Sequence, residues 1–316
     1  MSLFEEATVS KSIRVSLLVP CHNAARFLPD LIKGARHQVV PFAEMLLYDD
    51  GSDDNSSEVA LQLGLRVISA AGPRGPAIAR NALAAAAACE FIHFHDADDL
   101  IETSYLQTLV PSLNDDVDVA VCDASWVHAD SGKEAIRWKY SQSEYDPDPV
   151  AYLLTHPLGV NNCIYRASSF SAAGGFDPRA VPWEDADFNF RLARHGARFA
   201  FTPGVHTISR RHDGGISMDY RRNWRARVEC LDRYADEFEP RLRAIIAEEA
   251  ELAAQQLIFH RDSEGTRRAV MLAQTLGRRV PTTKNPVLRI VRRTIPAIWA
   301  LRIQAAARRL MKPYTF

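Results

Sequence analysis

The sequence lacks most of the features that mark the commonest chemistries. Its five cysteines, Cys21, Cys89, Cys122, Cys163 and Cys230, are odd in number and far apart. No pair has the spacing of a zinc site or a redox couple, so free thiols in a reducing compartment are expected. No Gly-x-Gly-x-x-Gly follows the first strand-like run, which speaks against a dinucleotide oxidoreductase, and the Gly-x-x-x-x-Gly-Lys phosphate loop is absent too. No stretch approaches 18 uninterrupted apolar residues, so no bilayer span is expected. The opening MSLFEEATVSKSIR has no basic segment followed by an apolar one and does not read as a secretory signal. These absences point to a cytoplasmic chain, at most resting on a membrane face.

Acidic residues are missing after Glu264, where twelve Lys and Arg follow, from Arg267 to Lys312. The whole chain of 316 residues carries −1, so its first 264 residues carry −13. An acidic body with a basic tail is a statement about partners. With 47% hydrophobic residues there is enough apolar material for one large domain, or a domain with a helical appendage.

The apolar pattern alternates between two periods in the first third. Strand-length runs occur at Ile13–Val19, Glu44–Tyr48, Leu65–Ser69, Phe91–His95 and Val117–Cys122. Helix-like stretches lie between them, at Ala24–Gln38, Ser56–Leu63, Ala77–Cys89 and Ser104–Leu113. Such alternation predicts a mostly parallel sheet covered on both faces. Further on, Ala124–His128 and Glu134–Tyr140 read as a hairpin, Asn161–Arg166 as a strand, and Glu184 to Gly196 as a helix. From about Tyr220 the pattern is helical, with Pro281 and Pro286 as breaks.

In an open parallel sheet, ligands bind beyond the carboxyl ends of the strands. The polar clusters fall there: Pro20-Cys21-His22-Asn23 after the first strand, Asp49-Asp50-Gly51-Ser52-Asp53-Asp54 after the second, and Asp96-Ala97-Asp98-Asp99 after the fourth. Asp-Asp-Gly-Ser alone is often a turn and helix cap. Two acidic clusters on one sheet edge, however, repel each other unless a cation or a donor-rich ligand lies between them.

With Val15–Asn23, Tyr48–Ser52, Ala79-Arg80-Asn81, Phe94–Asp99, Gly174-Gly175-Phe176-Asp177 and Trp183-Glu184-Asp185 in this order, the chain resembles the family 2 inverting glycosyltransferases over about residues 12–217. The resemblance implies an α/β GT-A fold with a mostly parallel mixed sheet. A Rossmann-like nucleotide-binding half (about 12–123) and an acceptor half (about 124–218) would make up residues 1–218. A helical C-terminal region, 219–316, would follow. The resemblance also implies roles. Asp49 would hydrogen-bond the base, Pro20 and Asn23 would floor the nucleotide pocket, and Asp50 and Arg80 would lie near base or phosphates. Asp96 and Asp98 would form the Asp-x-Asp motif, Asp98 foremost as ligand of Mn2+ or Mg2+ and Asp96 facing ribose or sugar, with Asp99 a weaker candidate. His212, in the segment Arg210–Ser217, would close over the diphosphate or bind the metal. Asp185 would be the catalytic base and Glu184 would bind the acceptor.

The function implied is transfer of a sugar from a nucleotide diphosphate sugar, UDP-sugars first, to a hydroxyl of a saccharide or lipid-linked acceptor in glycan or polysaccharide assembly. Inversion needs a proton acceptor, an offset for charge on the departing diphosphate, and in-line alignment. A non-catalytic nucleotide-sugar-binding module is the alternative. A sugar nucleotidyltransferase fits less well, because the loop after the first strand is not glycine-rich. The acceptor pocket is expected around Trp126, Trp138, Asn161, Asn162 and Trp183. Nucleic acid is not an expected partner, the catalytic half being acidic. Pro286–Met311 reads as a basic amphipathic helix containing Trp299 and kinked at Pro296, suited either to an anionic membrane surface or to packing on its own acidic body.

Overall fold

Alternate residues of a strand face opposite sides of a sheet, and here both sides are apolar. Leu18, Leu46, Ile92, Phe94, Val119 and Val121 enter one buried cluster; Val15, Leu17, Val19, Leu47, Phe91 and Ala120 enter another. A strand apolar on both faces belongs in the centre of a covered sheet. A computed structural model of the chain describes residues 13–212, 215, 218–235, 240–279 and 295–311, the last of these with side chains to residue 306.

The strands are β1 (Val15–Cys21), β2 (Glu44–Asp49), β3 (Arg66–Ser69), β4 (Phe91–Phe94), β5 (Leu100–Ile101), β6 (Val119–His128), β7 (Glu134–Trp138), β8 (Cys163–Arg166) and β9 (Phe199–Arg211). They form one sheet in the order β3-β2-β1-β4-β8-β6-β9-β5, with β7 paired to the far part of β6. The run β3-β2-β1-β4 is parallel; β8 is antiparallel to β4 and β6, and β9 runs parallel to β6. The fold is therefore the mostly parallel mixed α/β sheet expected.

Helices α1 (Leu28–Arg36), α2 (Ser56–Gln62), α3 (Pro76–Ala86) and α4 (Tyr105–Leu109) cover the parallel half. The first is shorter than Ala24–Gln38, because its N-terminal stretch is held by other bonds. Asn23 sits at φ 54°, and the Ala24 and Ala25 N–H groups donate to Ser56 Oγ (3.0 Å) and Asp54 Oδ2 (3.1 Å). In the second half come α5 (Gln142–Tyr145), α6 (Pro149–Thr155), α7 (Ala167–Ala172) and α8 (Glu184–Arg194), then α9 (Tyr220–Ala235), α10 (Pro240–Phe259), α11 (Ser263–Thr275) and α12 (Ala297–Met311). A third buried cluster joins Leu154, Ala180 and Phe190 to Val228, Ile246, Leu257, Ala269 and Leu301. The C-terminal helices are thus packed onto α6 and α8.

Pro296 directly precedes α12 and does not kink it. The stretch 286–294 of the expected tail helix, with Pro281 and Pro286, lies outside the described residues. Among the described residues no helix is long and apolar enough to cross a membrane.

Candidate active site

Because β1, β2 and β4 are parallel and adjacent, their carboxyl ends open on one edge, where Cys21 pairs with Asp49. Asn23 ties the first two loops together. Its Oδ1 accepts from the Asp53 N–H (2.8 Å) and its own N–H donates to Ser52 Oγ (2.9 Å). The turn between them must be glycine at position 51. Its φ is +72°, and a Cβ there would lie 2.7 Å from Gly72 Cα.

The two aspartates after β2 are committed to their own loops. Asp49 accepts from the Ser52 N–H (3.0 Å) and the Ser57 hydroxyl. Burial alone would raise its pKa, but these bonds outweigh it and hold the carboxyl below its ordinary value. It lies under the loop and does not line the cleft described below. Asp50 does line it, yet both its oxygens accept backbone N–H groups, from Arg74 (2.8 Å) and Gly75 (2.7 Å). Asp50 therefore fastens the loop that leads into α3.

The Asp-x-Asp-Asp segment is braced from the second half of the chain. Asn161 Oδ1 accepts the Asp96 N–H (2.9 Å) while its Nδ2 donates to Asp99 Oδ2 (2.5 Å). Arg210, near the end of β9, donates its N–H to Asp99 Oδ1 (2.7 Å) and its Nε to the Asp98 carbonyl (2.5 Å). Asp99 is buried, and burial together with the charges of Asp98 and Asp96 pushes its carboxyl well above the ordinary carboxylate range. It is the strut of the loop, which explains why one of the three aspartates of Asp96-Ala97-Asp98-Asp99 is buried. Asp98 faces the cleft, and His212 Nε2 lies 2.8 Å from its Oδ2.

Arg80 links the two halves. It is buried on α3, donating Nη2 to Asp96 Oδ1 (2.6 Å) and Nη1 to Glu184 Oε1 (2.7 Å). Asp185, beside Glu184 in the first turn of α8, lines the same cleft. The helix N-terminus favours its ionised form, but other effects are larger. Burial first, then the Glu184 carboxylate, push Asp185 up to about 7 against the pull of Arg80. Part of its surface stays open to the cleft.

The cleft has a volume of about 1260 Å3, and Pro20, Asn23, Asp50, Arg80, Asp96, Asp98, Glu184, Asp185 and His212 all line it. Thus every residue named from the sequence except Asp49 reaches one cavity. Trp126, Trp138, Asn161, Asn162 and Trp183 line it as well. Among the described residues no three His, Cys, Asp or Glu side chains form a complete metal site of their own. The Asp98–His212 pair offers one oxygen and one nitrogen donor at the cleft, residue types that would suit a divalent cation.

Sequence reasoning missed two residues. Arg210 opens the segment Arg210–Ser217, but only His212 carries an expected role there. Arg227, on α9, is buried in the cleft wall, its guanidinium 4.9 Å from the Trp183 ring and paired with Glu249 of α10. Only the helical packing brings it there.

This fold, with a cleft at the carboxyl edge of its sheet and acidic loops facing it, defines a glycosyltransferase of the GT-A type. The chain belongs to the family described as glycosyl transferase family 2, which it matches over residues 16–173. It is 30% identical over 252 residues to the uncharacterized glycosyltransferase YibD of Escherichia coli, covering 71% of this chain and 72% of that one. The succinoglycan biosynthesis protein ExoA of Rhizobium meliloti is 24% identical over 212 residues, covering 63% of this chain and 62% of its own length. Among solved structures, the mannosyltransferase PcManGT of Pyrobaculum calidifontis with GDP-Man and Mn2+ superposes with a TM-score of 0.59 at 16% identity, covering 95% of this chain and 88% of that one. TarS of S. aureus with UDP-GlcNAc does so with a TM-score of 0.56 at 16% identity, covering 84% and 90%.

Proposed function

We propose that the protein is an inverting, divalent-cation-dependent glycosyltransferase, moving a sugar from a nucleotide diphosphate sugar, UDP-sugars first, to a hydroxyl of a saccharide or lipid-linked acceptor in polysaccharide assembly. The observation that carries this reading is the Arg80 bridge: one buried guanidinium joins Asp96 of the donor loop to Glu184, next to Asp185, at one cleft. The donor would lie between the loops after β1, β2 and β4, with Pro20 and Asn23 at the base end and Asp49 holding the loop beneath them through Ser52 and Ser57. Asp98 and His212 would hold Mn2+ or Mg2+, which would offset charge building on the departing diphosphate. Asp185 would take the proton of the attacking hydroxyl, and a carboxyl raised toward neutrality is a stronger base for that task than an ordinary one. The donors carried by PcManGT and TarS, and the polysaccharide role in the name of ExoA, support the same substrate classes.

Residues 1–218 would carry the chemistry and 219–316 would buttress it, with α12 offering a membrane-facing surface on the cytoplasmic side. A non-catalytic binding module has no use for a base that is costly to keep ionised, which is why the enzymatic reading is preferred. The test is a thermal-shift screen of UDP-, dTDP- and GDP-sugars with and without Mn2+, followed by donor turnover. A Mn2+-dependent stabilisation by one nucleotide sugar and turnover lost in Asp185→Asn are expected. Unimpaired turnover by that variant would remove the mechanism.

A further inference from the structure

Tryptophans in folded chains are normally spent on the core, where their large apolar area is removed from water. Trp138 is not. It ends β7, the strand whose pairing is with β6 alone, it belongs to none of the buried clusters, and it is 36% exposed. Its ring meets that of Trp126 edge-on at 4.8 Å, and Trp126 in turn rests on the core. The two lie on the same face of the hairpin, since Trp126 pairs with Ile136 and Ala124 with Trp138. Both face the cleft.

The wall runs without interruption from these indoles to the candidate base. Two residues after Trp138, the Tyr140 hydroxyl donates to the Pro157 carbonyl (3.0 Å). Two residues after Pro157 is Gly159, where a Cβ would lie 3.9 Å from Asp185 Oδ2. On the face of the indoles the hairpin also carries Ile136, and the cleft lining adds the polar Lys139, His156 and Arg137, the last paired with Glu134. An apolar face rimmed with hydrogen-bonding groups matches a sugar ring, which offers C–H bonds on one face and hydroxyls around its edge. A lipid chain would offer no hydrogen-bonding group to the polar side chains of this lining.

From this we infer that Trp126 and Trp138 form a stacking platform for a second or later sugar of the acceptor, so that the acceptor is an oligosaccharide chain extending from Asp185 along the β6–β7 hairpin. The inference rests on the glycosyltransferase reading, and its test separates the two. The intact chain is labelled with 5-fluorotryptophan, and the Trp126 and Trp138 fluorine signals are assigned with single Trp→Phe variants. Cellotetraose, maltotetraose, chitotetraose, methyl glucoside and dodecyl phosphate are titrated separately, and UDP with Mn2+ is followed by thermal shift.

The expected result is that at least one tetrasaccharide moves both signals and binds about ten-fold or more tightly than methyl glucoside, a preference lost in Trp138→Ala and kept in Trp138→Phe. Stabilisation by UDP should be the same in all of them. The platform is refuted if no tetrasaccharide moves the signals, if dodecyl phosphate alone does, or if Trp138→Ala keeps the preference for length. Failure of UDP to stabilise any of the proteins would count instead against the donor site.

Discussion

Asp185, the proposed base, and Arg80, which bridges the two halves of the cleft, each give a separable outcome. Asp185 must be ionised to accept a proton, so kcat/KM should climb as pH rises through about 7 and level off above it. Asp185→Asn should lower transfer by about a hundred- to ten-thousand-fold, with donor stabilisation retained. The same raised carboxyl has a stability consequence of known sign. A folded-state value above the unfolded one means that its contribution is fully present below the ordinary carboxylate value of about 4 and is lost as pH rises toward 7. Asp185→Asn should therefore raise the melting temperature at pH 8 and give little gain at pH 4, as calorimetry at both values would reveal. Arg80 is the opposite case. Removing its charge in Arg80→Met strands Asp96, Glu184 and Asp185 against one another, and a loss of about 3 kcal/mol or more in urea unfolding is expected.

At the scale of elements, the carboxyl ends of β1, β2 and β4 were legible because a buried parallel strand writes a short apolar run that stops at a polar cluster. The helix starting at Glu184 was legible, with Gly196 as its C-terminal stop. The strand β9 was not, because Pro203-Gly204 reads as a turn. In the structure these two residues form the bulge at which β6 residues Cys122 and Asp123 pair with Thr202 and Val205, and Asp123 Oδ2 accepts the Gly204 N–H at 3.0 Å. Likewise Asp-Pro-Asp-Pro before α6 looks like a loop, yet Asp148 caps the helix by accepting from the Ala151 N–H (3.2 Å). Loop-to-loop bonds such as Asn161 to Asp99, 62 positions apart, leave no periodic trace at all.

The two buried histidines at the C-terminal end of β4, His93 within it and His95 just after it, carry their own pH dependence. His93 and His95 are fully buried, with His93 Nε2 3.1 Å from His95 Nδ1 and its Nδ1 2.9 Å from the Tyr105 hydroxyl. Burial lowers both, His95 to about 3. Their native state binds fewer protons than the unfolded chain, so the stability they support is present above about pH 6.5 and falls as pH drops toward 3. A melting temperature that declines from pH 7 to pH 5 is expected, with a smaller decline in His95→Gln. An equal decline in that variant would assign the effect to other groups.

For the whole molecule, the division between an acidic body and a basic tail is expressed in α12. One face of this helix is built into the body: Ala300, Leu301 and Ala305 are buried, and Leu301 and Ala305 join the cluster formed with α9, α10 and α11. The other face leaves Trp299 57% exposed and Ile303 47% exposed, one turn apart, with the Arg302 guanidinium 5.0 Å from the Trp299 ring. Packing on the body and contact with a membrane are therefore not exclusive, because they use different faces. Deleting the tail would remove Leu301 from the core and confuse the two. The double substitution Trp299→Ala with Ile303→Ser changes only exposed side chains, so the melting temperature should stay within about 2 °C. Each basic residue near an anionic surface contributes about 1 kcal/mol, weakened as salt shortens the Debye length. Flotation with phosphatidylglycerol-containing vesicles should thus recover the native chain at low salt, less of it at high salt, and markedly less of the double variant. Equal flotation of both proteins would show that the exposed face of α12 is not what meets the lipid.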